Sequence, residues 1–301
     1  MRRIFISIFW ITMLLSGVFA QDAAKLNFTA TDKSGGAVGD LKKEEVTLVV
    51  DGKPQIITSL EKQETPLIYA LAIDCSGSMR MLLGDLIGAG KSIFNQNRKD
   101  DETMLISFIS SDKIRGMESF SADKNILTRT LDNFYIEGGQ TALIDAIYMA
   151  VKEAAGQKKA DGEKYRRAVV VITDGEERAS FYNEKELLDL IQKENVQVFF
   201  IGLVGLLSND GGLFANTKSP RYIAESFIQR IAGASGGAVI IPKKIKDLPE
   251  AAAQLMPLLQ SQYVINYTPV VDAKAKSQKI ELKLAEDSKR KDVKFYFRSG
   301  S

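Results

Sequence analysis

Histidine is absent from all 301 residues, and cysteine and tryptophan occur once each, as Cys75 and Trp10. Without imidazole there is no Ser-His-Asp or Cys-His catalysis and no His-ligated zinc or iron. A single thiol excludes intramolecular disulfides and thiolate metal clusters. An excess of either charge is missing too, with 40 Lys and Arg against 38 Asp and Glu. Any chemistry must come from carboxylates, hydroxyls, lysines or a bound group. What is present, 45% hydrophobic and 26% charged residues, is the composition of a folded protein. The length suits one large domain, or one domain with a smaller module.

The first twenty residues read as a secretory signal peptide. Arg2 and Arg3 form a positive start, Ile4 to Leu15 an apolar run, and Val18-Phe19-Ala20 a small-residue cleavage pattern before Gln21. The alternative is an uncleaved anchor, since the run is near the lower limit for spanning a bilayer. Cleavage removes two arginines and no acid, which leaves a neutral mature chain. Neutrality argues against nucleic acid and against electrostatic membrane binding. The expectation is an exported protein, periplasmic or secreted, with no stable membrane span once the leader is gone.

Three textures follow. Residues 21–64 alternate, with Leu26, Phe28 and Ala30, then Val46, Leu48 and Val50, separated by Ser34-Gly35-Gly36 and Asp51-Gly52. Residues 261–301 alternate in the same way. The two flanks are expected to form one small β-module. From 65 to 260, apolar β-branched runs take turns with amphipathic helices: strands at 67–73, 104–109, 168–173, 196–203 and 238–241, helices at 82–94, 142–155, 184–194, 222–232 and 248–259. A short turn, 110–113, predicts an antiparallel hairpin to an extended piece around Met117 to Phe120. The pattern predicts an α/β fold, a doubly wound and mostly parallel sheet covered on both faces. The loop 205–219 is expected to be mobile near the rim of any site.

The informative residues follow the strands. One strand runs into Asp74-Cys75-Ser76-Gly77-Ser78, another into Thr173-Asp174-Gly175, and Gly138-Gly139-Gln140-Thr141 precedes a helix. In open α/β sheets, ligands bind beyond the strand carboxyl ends at the topological switch point. Two carboxylates and three hydroxyls there make an all-oxygen set suited to Mg²⁺ or Mn²⁺. Each residue alone could be a helix cap; five in register favour a metal. Gly84 to Ser92 imitates a phosphate loop but has one residue too many and sits inside a helical pattern. Gly233 to Gly237 reads as a helix stop, Lys289-Arg290-Lys291 as a solvated turn. Cys75 reads as inert, because neighbouring carboxylates raise a thiol pKa.

Asp-x-Ser-x-Ser, a later Thr after glycines and a later Thr-Asp-Gly resemble the metal-ion-dependent adhesion site (MIDAS) of von Willebrand factor type A (VWA) domains. The resemblance implies a Rossmann-like VWA domain over 65–260. It also implies that Asp74, Ser76, Ser78, Thr141 and Asp174 hold Mg²⁺, with Mn²⁺ as a substitute, directly or through water. Leu41 to Val46, Asp51 to Gln55 and Ser261 to Pro269 make the flanks similar to bacterial exported "VWFA-related" proteins of acidobacterial type. The implied function is a binding protein, not an enzyme, that engages an exposed carboxylate on a protein partner. The alternatives are a metal-dependent hydrolase, in which Asp74 or Asp174 activates a metal-bound water and Glu176 or Glu177, equally readable as helix-start acids, serves as the further acid or base, and a structural role with a vestigial site.

Overall fold

The computed structural model describes residues 24–158, 164–210, 218–269 and 279–298. The leader read at 1–20 lies outside the described residues. In chain order the elements are β1 (Ala24–Thr31), β2 (Val46–Val50), β3 (Lys53–Pro54), β4 (Ile56–Gln63), β5 (Leu67–Asp74), α1 (Leu83–Asn95), β6 (Glu102–Phe108), β7 (Ile114–Gly116), α2 (Lys124–Asp132), α3 (Leu143–Gly156), β8 (Arg166–Thr173), α4 (Glu184–Glu194), β9 (Gln197–Gly202), α5 (Pro220–Ser235), β10 (Val239–Ile240), α6 (Leu248–Gln260), β11 (Gln262–Thr268), β12 (Ile280–Leu284) and β13 (Lys294–Phe297).

The central sheet has the order β10-β9-β8-β5-β6-β7. All its pairings are parallel except β6 with β7. The chain moves from β5 to β6 on one side and then returns to β8 on the other. The switch point therefore falls between β5 and β8. Every residue of β5 is buried, because helices cover both sheet faces and a two-sided strand has no face for polar side chains. Leu86, Ile93, Leu127, Leu255 and Leu259 bring α1, α2 and α6 onto one face. Ile147, Val151, Leu187, Ile191, Ile228 and Ile231 bring α3, α4 and α5 onto the other. This is the doubly wound, mostly parallel sheet that the alternation predicts.

Two details differ from the reading of the sequence. The hairpin partner of β6 is residues 114–116, not 117–120. The ladder breaks where Leu105 N donates to the Met117 sulfur at 3.5 Å, although Met117 N still donates to Leu105 O at 3.0 Å. Helix α2 was absent from the expected elements. It starts at an N-cap, Asp123, whose carboxylate accepts from Asn125 N and Ile126 N.

The flanking strands form two antiparallel sheets, β13-β1-β11-β4 and β12-β2-β3. Each mixes strands from before and after the α/β block. Leu26, Phe28, Leu48, Val50, Ile265 and Leu282 fill the space between them. Tyr263 fixes the loop that crosses this core, its hydroxyl accepting from Leu41 N and donating to Val38 O, both at 3.0 Å. The run 289–291 is more than a solvated turn. Arg290 ties the β12–β13 loop to Asp40 at 2.8 Å and to Glu45 at 2.9 Å. Among the described residues, no helix is long and apolar enough to cross a membrane.

Tyr263→Phe leaves the buried Leu41 N–H without its acceptor, so a loss of about 1–3 kcal/mol is expected. Urea denaturation with an unchanged m-value would register it. Residues 65–260 expressed alone are expected to melt cooperatively. A fragment that aggregates while the chain from residue 21 folds would place the boundary elsewhere.

Candidate functional site

Strands β5 and β8 are parallel neighbours, paired from Leu67↔Arg166 to Ile73↔Ile172. Their carboxyl ends therefore emerge side by side. Asp74 is the last residue of β5, and Asp174 follows β8 directly. Asp74 Oδ1 accepts from Ser76 N at 3.0 Å, and Asp74 Oδ2 accepts from the Thr173 hydroxyl at 2.7 Å. Asp174 Oδ1 accepts from Glu176 N at 3.0 Å, and its Oδ2 accepts from the Ser78 hydroxyl at 2.8 Å. The Ser76 and Ser78 hydroxyls lie 3.2 Å apart. Four of the five candidate residues are thus linked by hydrogen bonds, and hydroxyls separate the two carboxylates.

Glycine is needed at two of the turns. Gly175 has φ +81°, and a Cβ there would meet the Ala224 Cβ at 3.1 Å. A Cβ on Gly139 would lie 2.6 Å from Ile109 Cγ2. That close approach lets the loop before α3 descend to the site. Thr141 is buried and held by its backbone: its carbonyl accepts from Arg178 N at 2.9 Å and Ala179 N at 3.2 Å. Ala142 N donates to Ile109 O at 2.9 Å, and Glu137 N to Cys75 O at 3.3 Å. The loop bearing Thr141 is therefore tied to both of the other motif loops. Among the described residues, no hydrogen bond joins its hydroxyl to the other four candidates.

The electrostatics are those of acids without a base. Asp74 and Asp174 are fully buried, and neither forms an ion pair among the described residues. Burial, reinforced by the charge of Asp174, pushes Asp74 up to about 7. Burial also raises Asp174, and the hydrogen bonds from Glu176 N and Ser78 oppose the shift. Arg178, the nearest base, is engaged with Glu176 through contacts of 3.1 and 2.8 Å. Two desolvated carboxylates surrounded by hydroxyls fit a hard divalent cation, which would supply the missing positive charge. Among the described residues no group of three or more acids or thiols gathers, so such an ion would depend on the hydroxyls. Cys75 is buried, and its thiol is pushed up to about 12, first by burial and then by Asp74. The dominant cause is desolvation, where the sequence had suggested the carboxylates.

Three further residues outside the five candidates shape the site, and of these Asp145 was not singled out from the sequence. Thr173 orients Asp74 and also accepts from Gly175 N at 3.0 Å; its place directly before Asp174 was the available signal. Glu177 accepts from Ile144 N at 2.8 Å and Ser180 N at 2.9 Å, so it caps the start of α3. Asp145 accepts from the Ser111 hydroxyl at 2.5 Å, Phe181 N at 2.8 Å and Tyr182 N at 2.9 Å. The two acids fasten the loop after Asp174 to the helix after Thr141. The imitation phosphate loop is a helix–sheet contact, since a Cβ on Gly90 would meet Leu131 at 2.7 Å and Ile73 at 3.2 Å. Gly236 ends α5 in the left-handed region, as a helix stop does. Of the loop 205–219, residues 211–217 lie outside the described residues; Ser219 caps α5 by accepting from Tyr222 N at 3.2 Å.

With this geometry in place, the comparisons are direct. Residues 69–177 match the family model of the von Willebrand factor type A domain. The chain therefore carries a VWA domain, and the matched stretch holds all five candidate residues. No curated protein matches the chain. Among solved structures, an aerotolerance-related membrane protein from Bacteroides fragilis is 20% identical, with 64% of this chain and 98% of that one covered at a TM-score of 0.46. Proximal thread matrix protein 1 of the mussel byssus, solved with a zinc-occupied MIDAS motif, is 16% identical, covering 69% of this chain and 50% of that one at 0.50. The pilus adhesin SpaC from Lactobacillus rhamnosus GG is 10% identical, covering 87% and 42% at 0.50. At such identities the two likenesses at 0.50 speak for the fold alone.

The raised Asp74 implies a pH dependence whose sign is fixed. From about its ordinary 3.8 up to about 7, the folded metal-free chain keeps a proton that the unfolded chain releases. Stability in EDTA should therefore fall as pH rises through that window, with Asp74 contributing at most about 1.4 kcal/mol per pH unit. Asp174→Asn removes the neighbouring charge and should flatten the fall. Urea denaturation between pH 4 and 8 measures both.

Proposed function

We infer that this chain is an exported binding protein whose VWA domain engages a carboxylate on a protein partner through a metal ion. The observation that supports this most is the pair of buried, base-free carboxylates, Asp74 and Asp174, bridged by Ser76 and Ser78 at the switch point. Asp74, Ser76, Ser78, Thr141 and Asp174 would hold the ion, Mg²⁺ or Mn²⁺. Bound there, it supplies a positive, oxygen-seeking centre for an acidic side chain. The protein's own residues prepare that centre. Thr173 and Ser76 N fix the Asp74 carboxylate, Glu176 N fixes Asp174, and Glu177 and Asp145 hold the loops that surround them.

The surface around the site supports a macromolecular ligand. Met81 and Phe181 are 89% and 84% exposed. Tyr135, Leu206, Tyr222 and Ile223 are also exposed. All six lie on segments at the carboxyl edge of the sheet, or leading into it, so apolar side chains rim a polar centre. That arrangement suits a partner whose acidic residue is flanked by apolar ones. Glu176 is paired with Arg178 and Glu177 caps α3, so the two further acids beside Asp74 and Asp174 are otherwise engaged. Export rests on the leader pattern in residues 1–20.

Thermal melts test the metal. At a hundredfold excess over its dissociation constant, Mg²⁺ should stabilise the folded chain by about 2.7 kcal/mol. Asp174→Asn should abolish most of that increment without loss of stability in EDTA, and Ser76→Ala should weaken it. Capture of an envelope protein by wild type in Mg²⁺, lost in EDTA and in Asp174→Asn, is the expected outcome. Metal-independent melting would remove the adhesion reading. Asp174-dependent hydrolysis of phosphoester or peptide substrates would replace it.

A further inference from the structure

The opposite end of the same strands carries charge of the other sign. Tyr165, Arg166 and Arg167 enter β8 at its amino end, and Gln197 starts β9. Eight residues of β8 separate this edge from Asp174, about 25 Å at the usual rise of a strand. Here the α/β block meets the flanking sheet and leaves a cleft of about 200 Å³. Asn27, Gln262 and Arg298 line it from the flanking side, Arg166, Arg167 and Gln197 from the other.

Three guanidinium groups meet in this cleft, and none has a carboxylate partner among the described residues. Arg166 donates to Leu259 O at 2.5 Å and to Gln197 Oε1 at 2.6 Å. Arg167 donates to the Tyr165 hydroxyl at 3.1 Å and lies 5.1 Å from the centre of its ring. Arg298 donates to Asn195 Oδ1 at 3.0 Å and Gln192 O at 2.6 Å. Each of these acceptors is neutral. The Nε atoms of Arg166 and Arg167 are buried and have no hydrogen-bond partner. Burial and the nearby Arg98 push Arg166 down to about 9, opposed by Asp101. Asp101 is already occupied by Leu67 N at 2.8 Å and by Arg98. A guanidinium does not shed its proton in a protein, so the cleft keeps its positive charge.

Positive charge gathered in a polar cleft without a carboxylate partner is costly, and an anionic occupant relieves it. We propose that the cleft between the amino ends of β8 and β9 and the flanking sheet binds a small oxyanion, a phosphate or carboxylate group. Guanidinium groups match the geometry of either. The amides of Asn27 and Gln262 add neutral donors beside them. The volume admits a small-molecule anion. Because both lobes contribute arginines, the ligand joins them, and its binding strengthens their contact. This site is independent of the proposed metal centre.

The test is a thermal melt of the chain from residue 21, in EDTA, with inorganic phosphate or citrate titrated against sodium chloride at matched ionic strength. A saturable rise in Tm of several degrees with either anion, and not with chloride, is expected. Arg167→Gln and Arg298→Gln should each raise the half-saturating concentration at least tenfold, whereas Asp174→Asn should respond as wild type does. Arg166→Gln is left aside as the main variant because its hydrogen bond to Leu259 O supports the fold. A response equal to that in chloride, or one unchanged in both Arg167→Gln and Arg298→Gln, would overturn the proposal.

Discussion

Complete burial of β5 is the constraint on which the rest of the molecule depends. A strand enclosed by neighbours on both edges and helices on both faces has no exit for charge along its length. Leu67 through Ile73 satisfy that demand with apolar side chains. Asp74, still buried, is where the demand meets its opposite. Its carboxylate is held by a backbone N–H and hydroxyls with no base beside it among the described residues, and a second acid stands nearby. The loops around it, with glycines wherever a Cβ would intrude, are arranged to keep that charge dry but reachable.

The parallel sheet also polarises the molecule. Strands that run the same way place all their carboxyl ends at one edge and all their amino ends at the other. Here the first edge collects acids and hydroxyls, and the second collects arginines that face the flanking sheets. Tyr263 and Arg290 do the remaining fastening, tying the loops of the flanks to strands on both sides of the α/β block.

Most of the α/β architecture was legible because each strand and helix carries its own period. Apolar runs such as Ala168 to Ile172 are strands buried on both sides. The spacing in 184–194 matches α4 residue for residue. Helix α2 was missed because its apolar content is low and its strongest signal is one capping aspartate. The strand β7 lies three residues earlier than the extended piece read around Met117 to Phe120, which touches β6 only through Met117 and an isolated bridge at Ser121. At the site, Asp74, Ser76, Ser78 and Asp174 were recognisable from their order, and the structure joins them. Asp145 was not, and the roles of Thr173 and Glu177 were only partly legible, because they lie in contacts between loops far apart in the chain. Arg166 and Arg167 looked like the polar start of a strand. Only the packing of Arg298 against the same cleft reveals their company.

The threading of the chain bears on how it is made. β1 pairs with β11 and β13 across more than two hundred residues, and β2 pairs with β12 over a similar span. During synthesis β1, β2 and β4 emerge long before their distant partners exist. Contacts this distant in sequence form slowly, and strand edges left waiting invite pairing with other chains. The α/β block, whose elements mostly meet neighbours close in sequence, can collapse first. It thereby brings Gln63 and Gln262, its two boundary residues, into register with each other. Assembly thus runs from the middle of the sequence outward, and the early strands depend on shielding until the last residues arrive.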